Sequence, residues 1–294
     1  MRVLILGGTV FLGRHLVEAA VTRGHNVTIF TRGQNPADLP AGVEALRGDR
    51  DGDLGALADR RWDAAIDTSG YAPRIVRASA ELLVESVGHY SFISSISVYH
   101  DLAQVGMQED APVATLADPA VEEVTGETYG ALKALCEQAA EAVMPGRVLV
   151  VRPGLIVGPY DPTDRFTYWP HRVAAGGEVL APGRPEQRVQ YIDARDLAGW
   201  TLSLVERAQV GVYHATGPAA PLTMGALLDA CRAVSGSDAR FTWVDEAFLT
   251  SRGVTPWTEL PLWIPEAAAE FRGMRQVNCA KAIAAGLTFR PLAE

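Results

Sequence analysis

Cysteine is scarce. The 294 residues include three, Cys136, Cys231 and Cys279, far apart and without a C-x-x-C spacing. That argues against a disulfide framework and against zinc ligation, so no metal is expected. It fits a reducing compartment in which each thiol serves as a small apolar residue. Long hydrophobic runs are also missing: no stretch approaches the roughly 18–20 apolar residues that span a bilayer. The N-terminus, one Arg ahead of a short apolar run and glycines, lacks a signal-peptide pattern. The expected location is cytoplasmic, with no membrane partner. Basic residues are in deficit, 26 Lys and Arg against 35 Asp and Glu, for a formal net charge of -9. A nucleic-acid partner would leave a basic footprint, so none is expected. Repeats and low-complexity linkers are absent as well. At 48% hydrophobic and 21% charged residues, the chain suits one large domain, or one domain with a smaller lobe, able to bury its core without staples.

What is present is an alternation. Residues 2–6, RVLIL, form a short apolar run that stops at Gly7-Gly8. From Gly13 the spacing turns helical, with Leu16, Val17, Ala20 and Val21 at three- and four-residue steps and Gly24 closing the helix. Val27 to Phe30 is a second strand, so the opening reads as a βαβ unit. The spacing then predicts a strand at 64–66, a helix over 73–87 and a strand from His89 to Ile96, followed by a helix over 127–143 and a strand from Arg147 to Arg152. This alternation implies an α/β fold, a Rossmann-type doubly wound parallel sheet with a smaller C-terminal substrate lobe. Beyond residue 154 prolines break the periodicity. Helical spacing returns at 194–206 and 222–235, and a loop-rich segment, 241–276, carries Trp243, Trp257 and Trp263. The expected division is a dinucleotide-binding domain over 1–154 with returning segments near 187–235, and a substrate lobe from 155–186 and 236–294.

The stretch Leu6-Gly7-Gly8-Thr9-Val10-Phe11-Leu12-Gly13 lies between a predicted strand and a predicted helix, where a dinucleotide loop belongs. There the first glycine allows the tight turn, the second admits the pyrophosphate and the third packs helix on strand. Val10 occupies a place usually held by glycine, so an atypical loop path is expected, with Gly8 supplying the missing freedom. Gly7, Gly8, Thr9, Phe11, Leu12 and Gly13 are the candidate contacts. The second strand ends Phe30-Thr31-Arg32-Gly33, with no acid to bond a ribose 2'-hydroxyl. An Arg there suits a 2'-phosphate, so NADP(H) is expected over NAD(H), with Thr31 and Arg32 at the ribose. Asp49 is a candidate acceptor for the adenine amino group, and Ser69 a further cofactor contact.

In ETYGALKALCEQAAE, Tyr129 and Lys133 lie four residues apart on one helix face, and SFISSISVY ends a strand with Ser94 and Ser95. The order and distances of GGTVFLG, SSISVY, YGALK, RPGLIVGP and YIDARDLA resemble the short-chain dehydrogenase/reductase superfamily over most of the chain. The likeness is greater to its extended and atypical branches, the NAD-dependent epimerase/dehydratases. That resemblance implies Tyr129 as general acid or base on the substrate oxygen. It implies Lys133 on the nicotinamide ribose, depressing the phenol's pKa, and Ser95, four residues before Tyr99, on the carbonyl oxygen. It also implies a monomer or a homodimer, since such enzymes often pair through the Tyr-Lys helix. Relatives tend to begin a last helix where this chain ends, at Pro291 to Glu294, which leaves room for a short tail.

Departures narrow the chemistry. Asp67-Thr68-Ser69-Gly70 stands where extended members usually have His-Leu-Ala-Ala. Ile96 and Ser97 replace the Asp-Glu pair that drives water elimination in sugar dehydratases, which disfavours dehydration. Arg188 is one residue off the register of a diphosphate clamp, against a nucleotide-sugar substrate. PYDPTDRFTYWPHR supplies Arg165, Tyr168, Trp169 and His171 which, with Tyr71, are candidate contacts for a small-molecule substrate. The expected function is an NADP(H)-dependent reductase or epimerase acting on a carbonyl or secondary alcohol. The competing reading is a non-catalytic NADP-binding regulator or an RNA-associated protein of the same fold.

Overall fold

A computed structural model describes all 294 residues. The first half of the chain runs β1 (Arg2–Leu6), α1 (Leu12–Thr22), β2 (Asn26–Thr31), β3 (Glu44–Arg47), β4 (Ala64–Asp67), α2 (Pro73–Leu83), β5 (His89–Ile93), α3 (Tyr129–Val143) and β6 (Val148–Pro153). The second half runs β7 (Ile156–Val157), α4 (Tyr168–Ala174), β8 (Glu178–Pro182), β9 (Arg188–Asp193), α5 (Ala194–Glu206), β10 (Gly211–Ala215), β11 (Gly217–Thr223), α6 (Met224–Ser235), β12 (Arg240–Val244), α7 (Glu246–Ser251) and α8 (Ala280–Ala284).

Seven strands form one sheet in the order β10-β6-β5-β4-β1-β2-β3, every pairing parallel. The interior strand β1, between β4 and β2, reads as an unbroken apolar run because both faces are covered. Val3 and Ile5 point into a core with Leu16, Val17 and Ala20 of α1 and Leu197 of α5. Leu4 and Leu6 point the other way, onto Val76, Ala80 and Leu83 of α2 and Cys136 and Ala140 of α3. Period-2 alternation thus sorts one strand's side chains into two cores. Pro73 at the start of α2 needs no N–H there. Asp193 caps α5 by accepting a hydrogen bond from the Arg195 N–H at 2.7 Å.

The chain leaves β1 toward β2 and β3, then returns to β4 on the other side of β1. The crevice between these directions, at the carboxyl ends of the strands, is where such sheets bind ligands. Over that edge sits the lobe, whose core gathers Trp169, Val173, Val179, Leu227, Leu228, Leu249 and Trp263. The division differs from the sequence expectation in two places. α6, within the segment expected to return to the sheet, buries Leu227 and Leu228 in the lobe instead. Conversely Ala282 of α8 and Leu287, expected in the lobe, pack with α1 and α5 against the sheet. Helical periodicity shows that a face is apolar but not which core receives it. No helix is long and apolar enough to cross a membrane.

Candidate functional site

The carboxyl ends of β1 to β5 open into one cavity of about 700 Å³. After β1 the chain turns through Gly7 (φ 113°) and Gly8 (φ 103°) into α1, whose first residues, Leu12 and Gly13, line the cavity. A Cβ on Gly13 would stand 2.7 Å from the Gly8 nitrogen, so helix and loop meet this closely only without a side chain. Val10 is 45% exposed and has no left-handed backbone, so its place in the loop does not require glycine. The non-glycine left-handed position is Phe11, φ 36°, immediately ahead of the helix. Thr9, Phe11 and Leu12 line the cavity with the three glycines.

At the far end, Thr31, Arg32 and Asp49 line the wall, and Ser69 follows β4. Arg32 is exposed, without an acidic partner. Arg47, which the sequence reading did not single out, ends β3 opposite Thr31. Its guanidinium lies so close over Gly33 that a Cβ there would come 1.6 Å from Nη1. Two guanidinium groups therefore flank the end of β2. Asp49 accepts the Asp51 N–H at 3.0 Å through Oδ1. Beneath the wall, Arg50 makes a two-pronged ion pair with the fully buried Asp67, at 2.6 and 2.7 Å, and reaches Ser69 Oγ at 3.2 Å. Tyr90 donates its hydroxyl to Asp67 Oδ2 at 2.8 Å. Arg74 bridges the rim, holding Asp51 at 2.6 Å and Glu122 at 3.1 Å. Nothing in the local sequence announces these long-range partnerships.

Tyr129 and Lys133 enter the opposite end from the first turns of α3. Gly130 lets that helix approach the turn after β5, where a Cβ would fall 2.0 Å from the Ser97 carbonyl oxygen. Lys133, 3% exposed, donates from Nζ to the carbonyls of Ile93 at 2.7 Å and Gly70 at 2.8 Å, beside the Phe92 ring. An ammonium has three protons, so one remains for a ligand. Burial drags its pKa down to about 8, with Asp67 opposing. Burial pushes the Tyr129 phenol up, while Ser95 and the Arg165 charge pull it back. Ser95 Oγ accepts the Ser97 N–H and lies 3.1 Å from Ser97 Oγ, set back from the cavity wall. Ser94 stands on the wall itself, with a buried hydroxyl that has no partner.

Of the candidate substrate contacts, Tyr71 and Arg165 line the cavity. The Tyr71 ring lies 6.5 Å from that of Tyr129. Trp169 does not belong to the wall. It is completely buried in the lobe core, with Nε1 donating to the Pro261 carbonyl at 2.7 Å and Tyr168 edge-on against it. His171 is exposed on α4. Expectation and structure part here because α4 turns Trp169 inward, and aromatic composition alone cannot distinguish packing from binding.

The strand order, glycine turn and cavity define a dinucleotide-binding α/β protein with a Tyr-Lys helix. The sequence pattern of the NAD dependent epimerase/dehydratase family matches residues 58–215. The chain belongs to that family. Among curated relatives, the chloroplast stem-loop binding protein of 41 kDa b of Arabidopsis thaliana is 28% identical over 258 residues, covering 80% of this chain and 63% of that protein's length. The epimerase family protein SDR39U1 of Bos taurus is 26% identical, covering 76% of each chain. The crystal structure of human SDR39U1 (isoform 2) with NADPH superposes with a TM-score of 0.66 at 21% identity, over 100% of this chain and 97% of that one. MoeE5 in complex with UDP-glucuronic acid and NAD also reaches 0.66, at 19% identity, over 99% and 94%. The fold is shared; the cofactors differ.

Proposed function

We propose that the protein is an NADP(H)-dependent oxidoreductase or epimerase acting on a carbonyl or secondary alcohol of a small molecule, with Tyr129 as its acid/base. The observation that carries this reading is the placement of Tyr129 and Lys133 on one helix face, in the same cavity as the glycine turn. The cofactor suits the residues present. Glycines without room for a Cβ border the pyrophosphate position, and Arg32 and Arg47 supply charge for a 2'-phosphate. When bound, the nicotinamide supplies or accepts the hydride.

The chain's part is proton and charge management. In reduction Tyr129 gives its proton to the carbonyl oxygen as the hydride adds to carbon, and in oxidation it takes the proton back. The free Lys133 proton would hold the nicotinamide ribose, and its charge would favour phenolate. Ser95 acts on the Tyr129 phenol from behind the cavity wall, and its hydroxyl would leave Ser97 Oγ to reach the substrate oxygen. An epimerase would perform both directions on one bound cofactor, whereas a reductase would exchange it each turnover. Nucleic-acid binding, despite the stem-loop-binding relative, is set aside because the net charge is -9.

The test is a screen of carbonyl compounds for NADPH oxidation, repeated with Tyr129→Phe. Turnover should fall about 10²–10⁴-fold, the usual worth of a positioned acid/base, with NADPH affinity nearly unchanged. Near-normal turnover in Tyr129→Phe would remove Tyr129 from the mechanism.

A further inference from the structure

Five cationic side chains line the cavity: Arg32, Arg50, Arg74, Lys133 and Arg165. Two are committed: Arg50 is locked to Asp67, and Arg74 holds Asp51 and Glu122. Lys133 donates to two carbonyls and keeps one proton, which the proposed function assigns to the cofactor ribose. Arg32 is free at the end where the 2'-phosphate would lie. Arg165 is free at the other end, half-buried in the loop that covers the strand ends. Its contacts are neutral: Nε donates to Thr163 Oγ1 at 3.0 Å, and the guanidinium faces the Trp257 ring at 5.8 Å. Asp161 on the same wall does not pair with it. That carboxylate accepts from the Thr163 N–H and hydroxyl through Oδ1, while Oδ2 is buried with no partner.

A half-buried guanidinium on a cavity wall keeps both terminal nitrogens for a ligand, and its planar fork matches an oxyanion. We propose that Arg165 anchors an oxyanion on the substrate, so that the site takes carbonyl compounds carrying a carboxylate or phosphate ester in preference to neutral ones. This rests on the oxidoreductase reading above and specifies its substrate class. The oxyanion is a spectator, gripped by Arg165 while the carbonyl oxygen faces Tyr129. The partnerless Asp161 Oδ2 offers an acceptor for a hydroxyl or N–H on the same ligand. Arg165 and Tyr129 line the same cavity; burial raises the phenol's pKa, and the Arg165 charge acts against that rise.

The test uses matched probes: acetoacetate against methyl acetoacetate, and dihydroxyacetone phosphate against dihydroxyacetone. NADPH oxidation is followed with wild type, Arg165→Ala and Arg165→Lys. In at least one pair the anionic member should exceed the neutral one by tenfold or more in kcat/KM. That ratio should collapse toward one in Arg165→Ala, mainly through KM, and recover partly in Arg165→Lys. The pair that responds separates carboxylate from phosphate ester. A ratio near one in the wild type, or one untouched by Arg165→Ala, overturns the anchor and leaves the reductase reading standing. A tenfold loss of NADPH affinity in Arg165→Ala also overturns it, because the guanidinium would then serve the cofactor's pyrophosphate. If no probe oxidises NADPH, calorimetric titration of the two anionic probes into protein saturated with NADP⁺ decides. Binding that vanishes in Arg165→Ala upholds the anchor while the reductase reading fails, and no binding overturns both.

Discussion

Lys133 and Lys281 are the only lysines in the chain, so the ammonium one helical turn from the candidate catalytic tyrosine can be titrated almost alone. Burial lowers the Lys133 pKa from 10.5 to about 8. At ~1.4 kcal/mol per tenfold change, that drop corresponds to roughly 3 kcal/mol of charge-burial cost. Between about 8 and 10.5 the folded state holds fewer protons at this group than the unfolded state. The cost is therefore fully present below about 8 and is relieved as pH rises through that window. Lys133→Met keeps the chain length and removes the charge, leaving the Gly70 and Ile93 carbonyls without their donor at every pH. In urea melts from neutral pH upward, the wild type should gain roughly 3 kcal/mol on Lys133→Met as the window is crossed. In spectra of ¹³C-lysine-labelled protein, the signal lost in Lys133→Met should titrate with a midpoint of about 8. NADPH affinity should weaken over the same range, because the ribose contact needs that proton. A Lys133 signal still titrating near the ordinary ~10.4, or a stability difference flat across the window, would refute the burial argument.

Arg32→Ala should weaken NADPH by roughly 1.5–3 kcal/mol more than NADH, the worth of a charge-assisted bond. Arg47→Ala should act in the same direction, and equal losses for both cofactors by fluorescence titration would remove the 2'-phosphate role. Asp67→Asn should cost roughly 3–5 kcal/mol of stability in urea melts, since it strands the Arg50 charge beside a fully buried site. A loss below ~1 kcal/mol, the range of an exposed pair, would show that water reaches the pair.

What the sequence determined by itself is the part held by local and periodic constraints. The run RVLIL had to be a strand covered on both faces, and glycines at 7, 8 and 13 had to form a turn opening a helix, because only those residues fit the backbone and the close approach. Tyr129 and Lys133 share a face through helical geometry alone. The strand β10, by contrast, was not legible in GVYHA, and α6 and α8 had apolar faces that could dock on either core. Only the tertiary structure decided that Trp169 fills the lobe while Arg165 reaches the cavity, four residues earlier in the same loop-and-helix segment. It alone brought Arg47 onto Gly33, paired Arg50 with Asp67, and left Arg165 without an acid. The physical reason is that charge pairing and burial depend on which distant elements meet. Periodicity reports the direction of a side chain within its own element and carries no information about what stands opposite.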